Sequence, residues 1–324
     1  MSVTNGGSEV LLARSILYIP GIRDDLMAKA YRMPADIIQL DLEDSVPLDK
    51  KDEARALVAD FVRDWRSEVG HLLAVKINPT SEKTKNSVPC GFDDLAATFA
   101  ASVDFVVIPK VESVEEVRAL DEQITGLERE QGRDGGSTRI IAMIESAEGL
   151  VNIVDIARSS GRLFTLAYTG ETDFNALLLV SPNPNPPDAD LVEYAYGRQH
   201  TTIACLSAAL APPIDNVVLD VQNLDFLRSS SVIAKRLGFG GRLCINPKQV
   251  EVVNEVFSPS AEETEWAARV VEALEQTVAE GRGATVLDGR LVDIAMGTAA
   301  ARVLAYAKVA RARAERLEQH KAGV

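Results

Sequence analysis

The sequence predicts an α/β protein, a (β/α)8 TIM barrel followed by a C-terminal helical extension. Eight short apolar runs alternate with segments of helical spacing over about 250 residues, the usual size of such a barrel. The runs are almost continuously apolar, as expected of parallel strands that are buried on both faces. A doubly wound open sheet is the competing architecture. The predicted strands cover residues 15–21, 36–44, 72–78, 105–111, 139–146, 163–170, 216–221 and 241–246.

The segments between the strands have the spacing and the first residues of helices. Pro47 and Asp49 open the segment after the second strand, and Glu112 and Ser113 open the one after the fourth. Such residues suit a helix N-terminus. The predicted helices cover residues 49–66, 92–102, 112–128, 147–159, 188–211, 223–237 and 247–256.

The chain beyond the barrel is also predicted to be helical. The sequence Ser258-Pro259-Ser260 precedes acidic residues and indicates a helix start, and a second helix covers about residues 294–318. We therefore predict a catalytic barrel over residues 1–257 and a helical segment over residues 258–324. The segment is too short for an independent domain, so we expect it to act as a lid or to pack on a neighbouring subunit.

Composition and charge exclude several classes of protein. Of the 324 residues, 46% are apolar and 25% are charged, so the chain can build a large core and is not a disordered protein. The net charge of −14 argues against a surface for nucleic acid or anionic membranes. No apolar run approaches the ~18–20 residues that span a bilayer, and the first residues lack the pattern of an export signal. We expect a cytoplasmic protein.

The cysteines and histidines are too scattered for a zinc site. The three cysteines form no CxxC pair, and the three histidines are far apart in the sequence. Any metal site would therefore use carboxylates, which favour a hard ion such as Mg²⁺.

Charged or polar residues end most of the predicted strands. In a TIM barrel this carboxyl-terminal rim carries the active site. The Pro- and Asn-rich loop 181–190 follows strand 6 and is predicted to border that site. The strand-end residues are Asp41, Glu43, Asp44, Lys76, Asn78, Lys110, Glu145, residues 169–173, Asp220 and Asn246.

Eight segments in order along nearly the whole chain resemble the citrate lyase β-subunit and malyl-CoA lyase family, the HpcH/HpaI aldolases. The resemblance implies a TIM barrel with a C-terminal extension, Mg²⁺, a coenzyme A thioester substrate and a homotrimer or hexamer. Members make or break a carbon–carbon bond next to an acyl thioester, with a small keto acid as the other partner. The segments are RSILYIPG (14–21), ADIIQLDLEDSV (35–46), GFDDL (91–95), VVIPKVES (106–113), MIESAEGL (143–150), GETDF (170–174), GFGGRLCINPKQV (238–250) and GRLVD (289–293).

The resemblance places the family's metal ligands on Glu145 and Asp173. Neighbouring strands lie ~4.8 Å apart, so carboxylates at the ends of strands 5 and 6 can share one hard cation. Such an ion polarises a keto group and neutralises the negative charge that develops during bond cleavage. Solvation of the rim or a structural ion pair is the alternative role for each carboxylate.

The resemblance also implies other site residues. Asp293 matches an aspartate that the family delivers from a neighbouring subunit, although capping of the last helix explains it equally well. The backbone amides of residues 170–172 would bind a carboxylate. The implied catalytic residues are Glu43, Asp44, Lys76 and Asp293, and the implied substrate-binding residues are Arg14, Gly170, Glu171, Thr172 and Asn246.

Two residues depart from the family pattern and leave the function open. Lys76 stands where the family usually has arginine, and Asn246 where many relatives have histidine. A lysine offers a point charge instead of a planar fork, and losing a preorganised donor can cost ~3–4 kcal/mol. Three functions therefore remain: a Mg²⁺-dependent lyase acting on a β-hydroxyacyl thioester, an aldolase acting on free keto or hydroxy acids without coenzyme A, and a non-catalytic ligand-binding barrel.

Overall fold

The computed structural model describes residues 11–65, 67, 69–82, 88–169 and 194–323. These residues form two compact units, Ala13–Phe257 and a smaller one that contains the residues from Ser258 onward. The larger unit is a closed barrel in which eight parallel strands pair in sequence order and β8 pairs with β1. The predicted TIM barrel is thus confirmed, and the open sheet is excluded.

The strands and helices of the larger unit alternate as the sequence predicts. The strands are β1 Ser15–Pro20, β2 Ile37–Asp41, β3 Leu72–Lys76, β4 Phe105–Ile108, β5 Arg139–Ile144, β6 Leu163–Tyr168, β7 Ile214–Asp215 and β8 Gly241–Cys244. The helices are α1 Asp24–Met27, α2 Lys51–Asp64, α3 Gly91–Thr98, α4 Val114–Glu130, α5 Ala147–Val151, α6 Ile153–Ala157, α7 Ala195–Ser207, α8 Leu224–Arg236 and α9 Pro247–Phe257. Short 3₁₀ turns cover Ala30–Arg32 and Leu48–Lys50.

Each strand has two faces with different surroundings. On one face, apolar side chains such as Leu17, Ile19 and Leu40 pack in a continuous core with the helices. Because side chains alternate along a strand, the residues between them, such as Tyr18 and Gln39, face the interior of the barrel. Every second residue of each strand therefore points into the barrel, including near the end that carries the charged side chains.

The register between the strands decides which residues meet at that end. Asp41 of β2 lies opposite Lys76 of β3, and Ala167 of β6 lies between Met143 of β5 and Ile214 of β7. The carboxyl ends of parallel strands lie at one rim of the barrel. Residues that directly follow paired residues in neighbouring strands are therefore neighbours at this rim.

Strand β7 differs from the prediction. The sequence predicts it at residues 216–221, but the paired residues are Ile214 and Asp215, directly after Pro212 and Pro213. Of the apolar residues in the predicted run 216–221, Val218 packs into the core after the strand has ended, whereas Leu219 is exposed. An apolar run does not by itself indicate strand pairing.

The smaller unit contains two helices joined by a hairpin. Helix α10 (Ala261–Ala279) begins at Ser260, whose hydroxyl accepts from the Glu263 amide at 3.0 Å while the Glu263 carboxylate accepts from the Ser260 amide at 2.7 Å. This capping box confirms the predicted start. Helix α11 covers Ile294–Gly323.

The hairpin between these helices was not predicted. Strands β9 (Ala284–Leu287) and β10 (Arg290–Asp293) are antiparallel and joined by Asp288 and Gly289, both with positive φ. An Asp-Gly pair favours this tight turn because both residues tolerate that backbone conformation. Across the described ranges of the chain, no helix combines the length and apolarity needed to cross a membrane.

Candidate active site

Four charged side chains from three neighbouring strands meet at the carboxyl-terminal rim. The carboxylate of Glu43 bridges two ammonium groups: Lys76 contacts Oε2, and Nζ of Lys110 lies 2.8 Å from Oε1. Lys110 Nζ also lies 3.3 Å from Oδ1 of Asp44. Glu43 and Lys76 are buried, whereas the Asp44 side chain is 67% exposed. We call these four residues the Glu43 cluster.

Lys76 keeps its charge inside the barrel. Its Nζ lies 5.6 Å from the centre of the Tyr18 ring. Burial lowers the pKa of Lys76, but Tyr18, Glu43 and further acidic neighbours outweigh that penalty and hold the pKa well above the ordinary lysine value. The amine is therefore a permanent cation at neutral pH.

The two carboxylates of the cluster differ in their affinity for a proton. Burial raises the pKa of Glu43, but the charges of Lys76 and Lys110 outweigh burial and keep this pKa below its usual value. The pKa of Asp44 is raised by partial desolvation among the neighbouring groups and by the negative charge of Glu43. Neighbouring acids whose pKa values are pushed apart can take different roles, one as a fixed charge and the other as a proton carrier.

The turn that carries Glu43 and Asp44 is held by side-chain hydrogen bonds. The Asp41 carboxylate accepts from the backbone amides of Glu43 at 3.0 Å and Ser45 at 3.3 Å. The ammonium of Lys51, at the start of α2, donates to the carbonyls of Leu42 at 2.8 Å and Glu43 at 2.7 Å. These bonds satisfy buried backbone groups and fix the direction of both carboxylates.

Asn78 holds the same turn from the side of β3. Its Nδ2 donates to the carbonyl of Leu42 at 2.9 Å and to Oδ2 of Asp94 at 2.6 Å. Asp94 in turn accepts from Nε of Arg55 at 3.0 Å. The GFDDL segment, which includes Asp94, therefore supports the site from α3.

Lys110 is a site residue to which the sequence analysis assigned no role. It follows β4 and has a left-handed backbone with φ of 52°, which is strained for a residue other than glycine. Such strain persists where surrounding groups hold the residue in place. Here the carboxylates of Glu43 and Asp44 hold the Lys110 ammonium. The available signal was its place at the end of a strand, inside the PKVES segment.

Glu145 follows β5 and belongs to the same rim. Its side chain is buried, and its negative charge contributes to the raised pKa values of Lys76 and Lys110. Mg²⁺ needs only one or two protein carboxylates beside water and substrate oxygens, so the chemistry of Glu145 fits such an ion. Within the described ranges, no group of three or more His, Cys, Asp or Glu side chains is arranged to hold a metal.

Four of the predicted site residues lie outside the described residues. They are the second predicted metal ligand, Asp173, and the predicted carboxylate-binding residues Gly170, Glu171 and Thr172. Their predicted roles stay predictions.

Arg14 lies at the other end of the barrel from the predicted substrate site. It precedes β1, and its guanidinium forms two bonds to Asp36, from Nε to Oδ2 and from Nη2 to Oδ1, each 2.8 Å long. The arginine is buried, so it is not a solvated surface residue either. Its position corrects the sequence-based expectation: Arg14 ties the start of β1 to the start of β2.

Asn246 and Asp293 both cap helices. Oδ1 of Asn246 accepts from the amide of Lys248 at 3.0 Å, at the start of α9 on the carboxyl-terminal rim. Oδ1 of Asp293 accepts from the amide of Met296 at 2.9 Å, at the start of α11 in the smaller unit. Capping is thus observed for both residues, and their roles towards substrate stay predictions.

Comparisons with known sequences find relatives over most of the chain. A family model described as HpcH/HpaI aldolase/citrate lyase matches residues 14–247. Citrate lyase subunit beta of Haemophilus influenzae is 32% identical over 298 residues, which are 92% of this chain and 97% of that protein. The L-malyl-CoA/beta-methylmalyl-CoA lyase of Rhodobacter capsulatus is 31% identical in an alignment 317 residues long, which covers 93% of this chain and 96% of that protein.

Solved structures share the same fold. Protein CitE of Mycobacterium tuberculosis, in complex with magnesium, acetoacetate and coenzyme A, is 26% identical with a TM-score of 0.69. The match covers 91% of this chain and 97% of that one. A citrate lyase from Burkholderia xenovorans covers 92% of each chain with a TM-score of 0.75 and, at 19% identity, supports the fold alone.

Proposed function

Because this chain belongs to the HpcH/HpaI aldolase/citrate lyase family, we propose that it is a Mg²⁺-dependent carbon–carbon lyase acting on a β-hydroxyacyl thioester. It splits this substrate into an acyl-CoA and a small keto acid, or joins the two. The observation that carries the proposal is the Glu43 cluster, which sets two permanent cations beside Glu145 at the rim of the barrel.

Glu145 and Asp173 are the proposed Mg²⁺ ligands. The buried carboxylate of Glu145 supports this assignment, as does the magnesium complex of CitE from Mycobacterium tuberculosis. When bound, the ion polarises the keto oxygen and offsets the negative charge on it.

Lys76 and Lys110 serve as electrostatic groups in this proposal. Cleavage of the carbon–carbon bond leaves negative charge on the thioester oxygen, and positive groups that are already oriented stabilise that charge most effectively. The raised pKa values of both lysines keep them cationic. A protonated amine is not a nucleophile, so an imine mechanism on either lysine is disfavoured.

Asp44 is the group of the cluster best suited to exchange a proton. It is exposed, its pKa is raised, and Lys110 holds it at 3.3 Å. Asp293 of a neighbouring subunit, as the family resemblance implies, is a second group for proton transfer. The cytoplasmic location and the homotrimer or hexamer also stay predictions.

An assay of purified protein tests the proposal. The protein is incubated with glyoxylate, pyruvate or oxaloacetate and a panel of acyl-CoAs, and the products are identified by mass spectrometry. We expect a new hydroxyacyl-CoA that disappears with EDTA and in Glu145→Ala. Glu148→Ala is the matched control, because Glu148 is an exposed carboxylate three residues away in α5.

Other outcomes of this assay point to the alternatives. Products formed from free keto acids without coenzyme A would replace the proposal with an aldolase. If the protein forms no product with any acyl-CoA and keto acid in the panel, the result would favour a non-catalytic barrel.

A further inference from the structure

A buried cluster of three charged side chains lies on the outer side of β7 and β8. The carboxylate of Asp215, in β7, accepts from Nε of Arg198 at 3.1 Å and from Nη2 of Arg198 at 3.0 Å. Arg198 belongs to α7, and the guanidinium of Arg242, in β8, contacts the same oxygen of Asp215, Oδ2. All three side chains are at most 1% exposed. The cluster therefore joins two strands to a helix in the interior of the larger unit.

This cluster carries one more positive charge than negative charge. Burial raises the pKa of Asp215, but the charges of Arg198 and Arg242 outweigh burial and keep this pKa below its usual value. The carboxylate is therefore ionised, and a guanidinium is always charged. Two cations thus share one anion. An unbalanced charge in the interior is costly, so buried charges are normally paired.

The charged side chains next to the cluster are balanced among themselves. Arg14, whose carbonyl accepts from the Arg242 amide at 2.8 Å, pairs with Asp36 at 2.8 Å. On the solvent side, Arg228 of α8 pairs with Glu255 at 2.6 Å. Both pairs are neutral overall, so they leave the excess charge of the cluster in place.

Two donors of the cluster have no hydrogen-bond partner among the residues that the structure describes. They are Nη1 of Arg198 and Nε of Arg242. The remaining nitrogen of Arg242, Nη1, donates to the hydroxyl of Ser230 at 2.9 Å. Because both guanidinium groups contact one oxygen of Asp215, the two unpaired donors belong to neighbouring groups. Buried donors are nearly always paired, so these two indicate a bound water or ligand.

The start of α7 adds to the positive potential around the cluster. This helix begins at Ala195, so Arg198 is its fourth residue, and its first turn contains no acidic residue. The N-terminal end of a helix carries a partial positive charge, which an anion stabilises. Helical side chains lean towards that end, so the guanidinium of Arg198 lies close to it.

We propose that Arg198 and Arg242 bind one small monovalent anion, a halide such as chloride, through Nη1 and Nε. The excess charge is a single unit, so one monovalent ion balances it. A halide accepts hydrogen bonds and offers none, which suits two groups that only donate. A water molecule pairs the donors but leaves the charge unbalanced. The ion stabilises the contact of α7 with β7 and β8, and this role is independent of the proposed lyase chemistry.

Thermal unfolding in two salts tests the site. The protein is dialysed free of halide and unfolded in sodium chloride or in sodium gluconate at the same ionic strength. Gluconate is too bulky for a site between buried side chains. At about 0.3 M salt, we expect a melting temperature at least about 4 °C higher in chloride, because a ligand that binds only the folded state stabilises it.

Arg198→Met should abolish this difference between the salts. The substitution removes one cation and leaves a balanced pair of Arg242 and Asp215. Its melting temperatures in chloride and gluconate should agree to within about 1 °C. Arg228→Met is the matched control, since it removes an exposed arginine whose pair with Glu255 contributes little. The control should keep the full effect of chloride.

Crystals of the wild-type protein grown in sodium bromide give a second readout that needs no variant. We expect anomalous density for bromide within hydrogen-bond distance of Nη1 of Arg198. Three results would overturn the anion site: equal melting temperatures of the wild type in the two salts, the same effect of chloride in Arg198→Met as in the wild type, or an anomalous map without a peak at the cluster. If Arg198→Met does not fold, the wild-type melts and the anomalous map decide.

Discussion

Lys76 stands where the family resemblance implies an arginine, and it keeps a positive charge inside the barrel. Glu43 contacts the Lys76 ammonium from one side and the Tyr18 ring lies near it on another, so the side chain is oriented without a guanidinium fork. Lys110 contacts the second oxygen of Glu43. Two ammonium groups thus share one carboxylate, and their combined charge faces the rim.

Lys51 is predicted to position the Glu43 cluster without belonging to it. Lys51→Met removes the donors of two carbonyl bonds, and an unsatisfied buried carbonyl costs about 1–3 kcal/mol, so we expect turnover to fall about tenfold or more. Hydrogen exchange measured by mass spectrometry should become faster over residues 42–46. This second readout does not depend on the substrate.

Lys50→Met is the control for Lys51→Met. Lys50 is the preceding residue, is exposed and pairs with Glu53 at 2.8 Å, outside the turn. Similar exchange rates over residues 42–46 in the two variants would contradict the positioning role.

At the scale of elements, Glu128 joins α4 to the starts of β5 and β6. Its carboxylate accepts from Nη2 of Arg162 at 2.7 Å and from the amides of Gly136 and Thr138, both at 2.9 Å. Burial raises the pKa of Glu128, but these donors outweigh burial and lower it to about 2. The ionised carboxylate is therefore stabilised by folding.

The stability that Glu128 contributes should depend on pH in the acid range. A carboxyl whose pKa is lower in the folded state stabilises the protein above its unfolded pKa and loses this effect as the pH falls towards 2. Glu128→Gln should therefore lower the midpoint of urea unfolding at pH 7, and this difference from wild type should shrink below about pH 4.5.

Glu255→Gln serves as the control, since the pair of Glu255 and Arg228 is exposed and such pairs contribute little. A Glu128→Gln difference that is the same at pH 7 and pH 3 would show that its cause is packing and not ionisation.

For the whole molecule, the catalytic role proposed for Asp293 would require a neighbouring subunit. Its carboxylate caps α11, and asparagine caps a helix as well as aspartate does. Asp293→Asn should keep the melting temperature but lose most of the lyase activity, about 10²-fold or more, if the residue transfers a proton. Dissociating this variant, mixing it with Glu145→Ala and reassembling the oligomer should restore part of the activity.

Full activity in Asp293→Asn would contradict proton transfer by Asp293 and would indicate that the residue only caps α11. An inactive variant that the mixed oligomer does not rescue would contradict delivery from a neighbouring subunit.

The barrel, the order of its strands and the charged residues at their carboxyl ends can all be predicted from the sequence. Apolar runs of strand length are local signals, and strand-end residues such as Glu43, Lys76 and Glu145 follow directly from where the runs stop. The Asp288-Gly289 pair is a local turn signal of the same kind.

Which of these residues contact one another becomes clear only from the folded chain. Strand register set Glu145 beside Thr169 and Asn216, and the left-handed backbone at Lys110 brought its ammonium to Glu43. Arg14 pairs with Asp36 at the amino-terminal end of the barrel, opposite the rim that carries the Glu43 cluster. Each of these arrangements joins residues that are far apart in the chain. The stagger of the strands in a closed barrel determines which residues are neighbours, and it depends on all eight strands together.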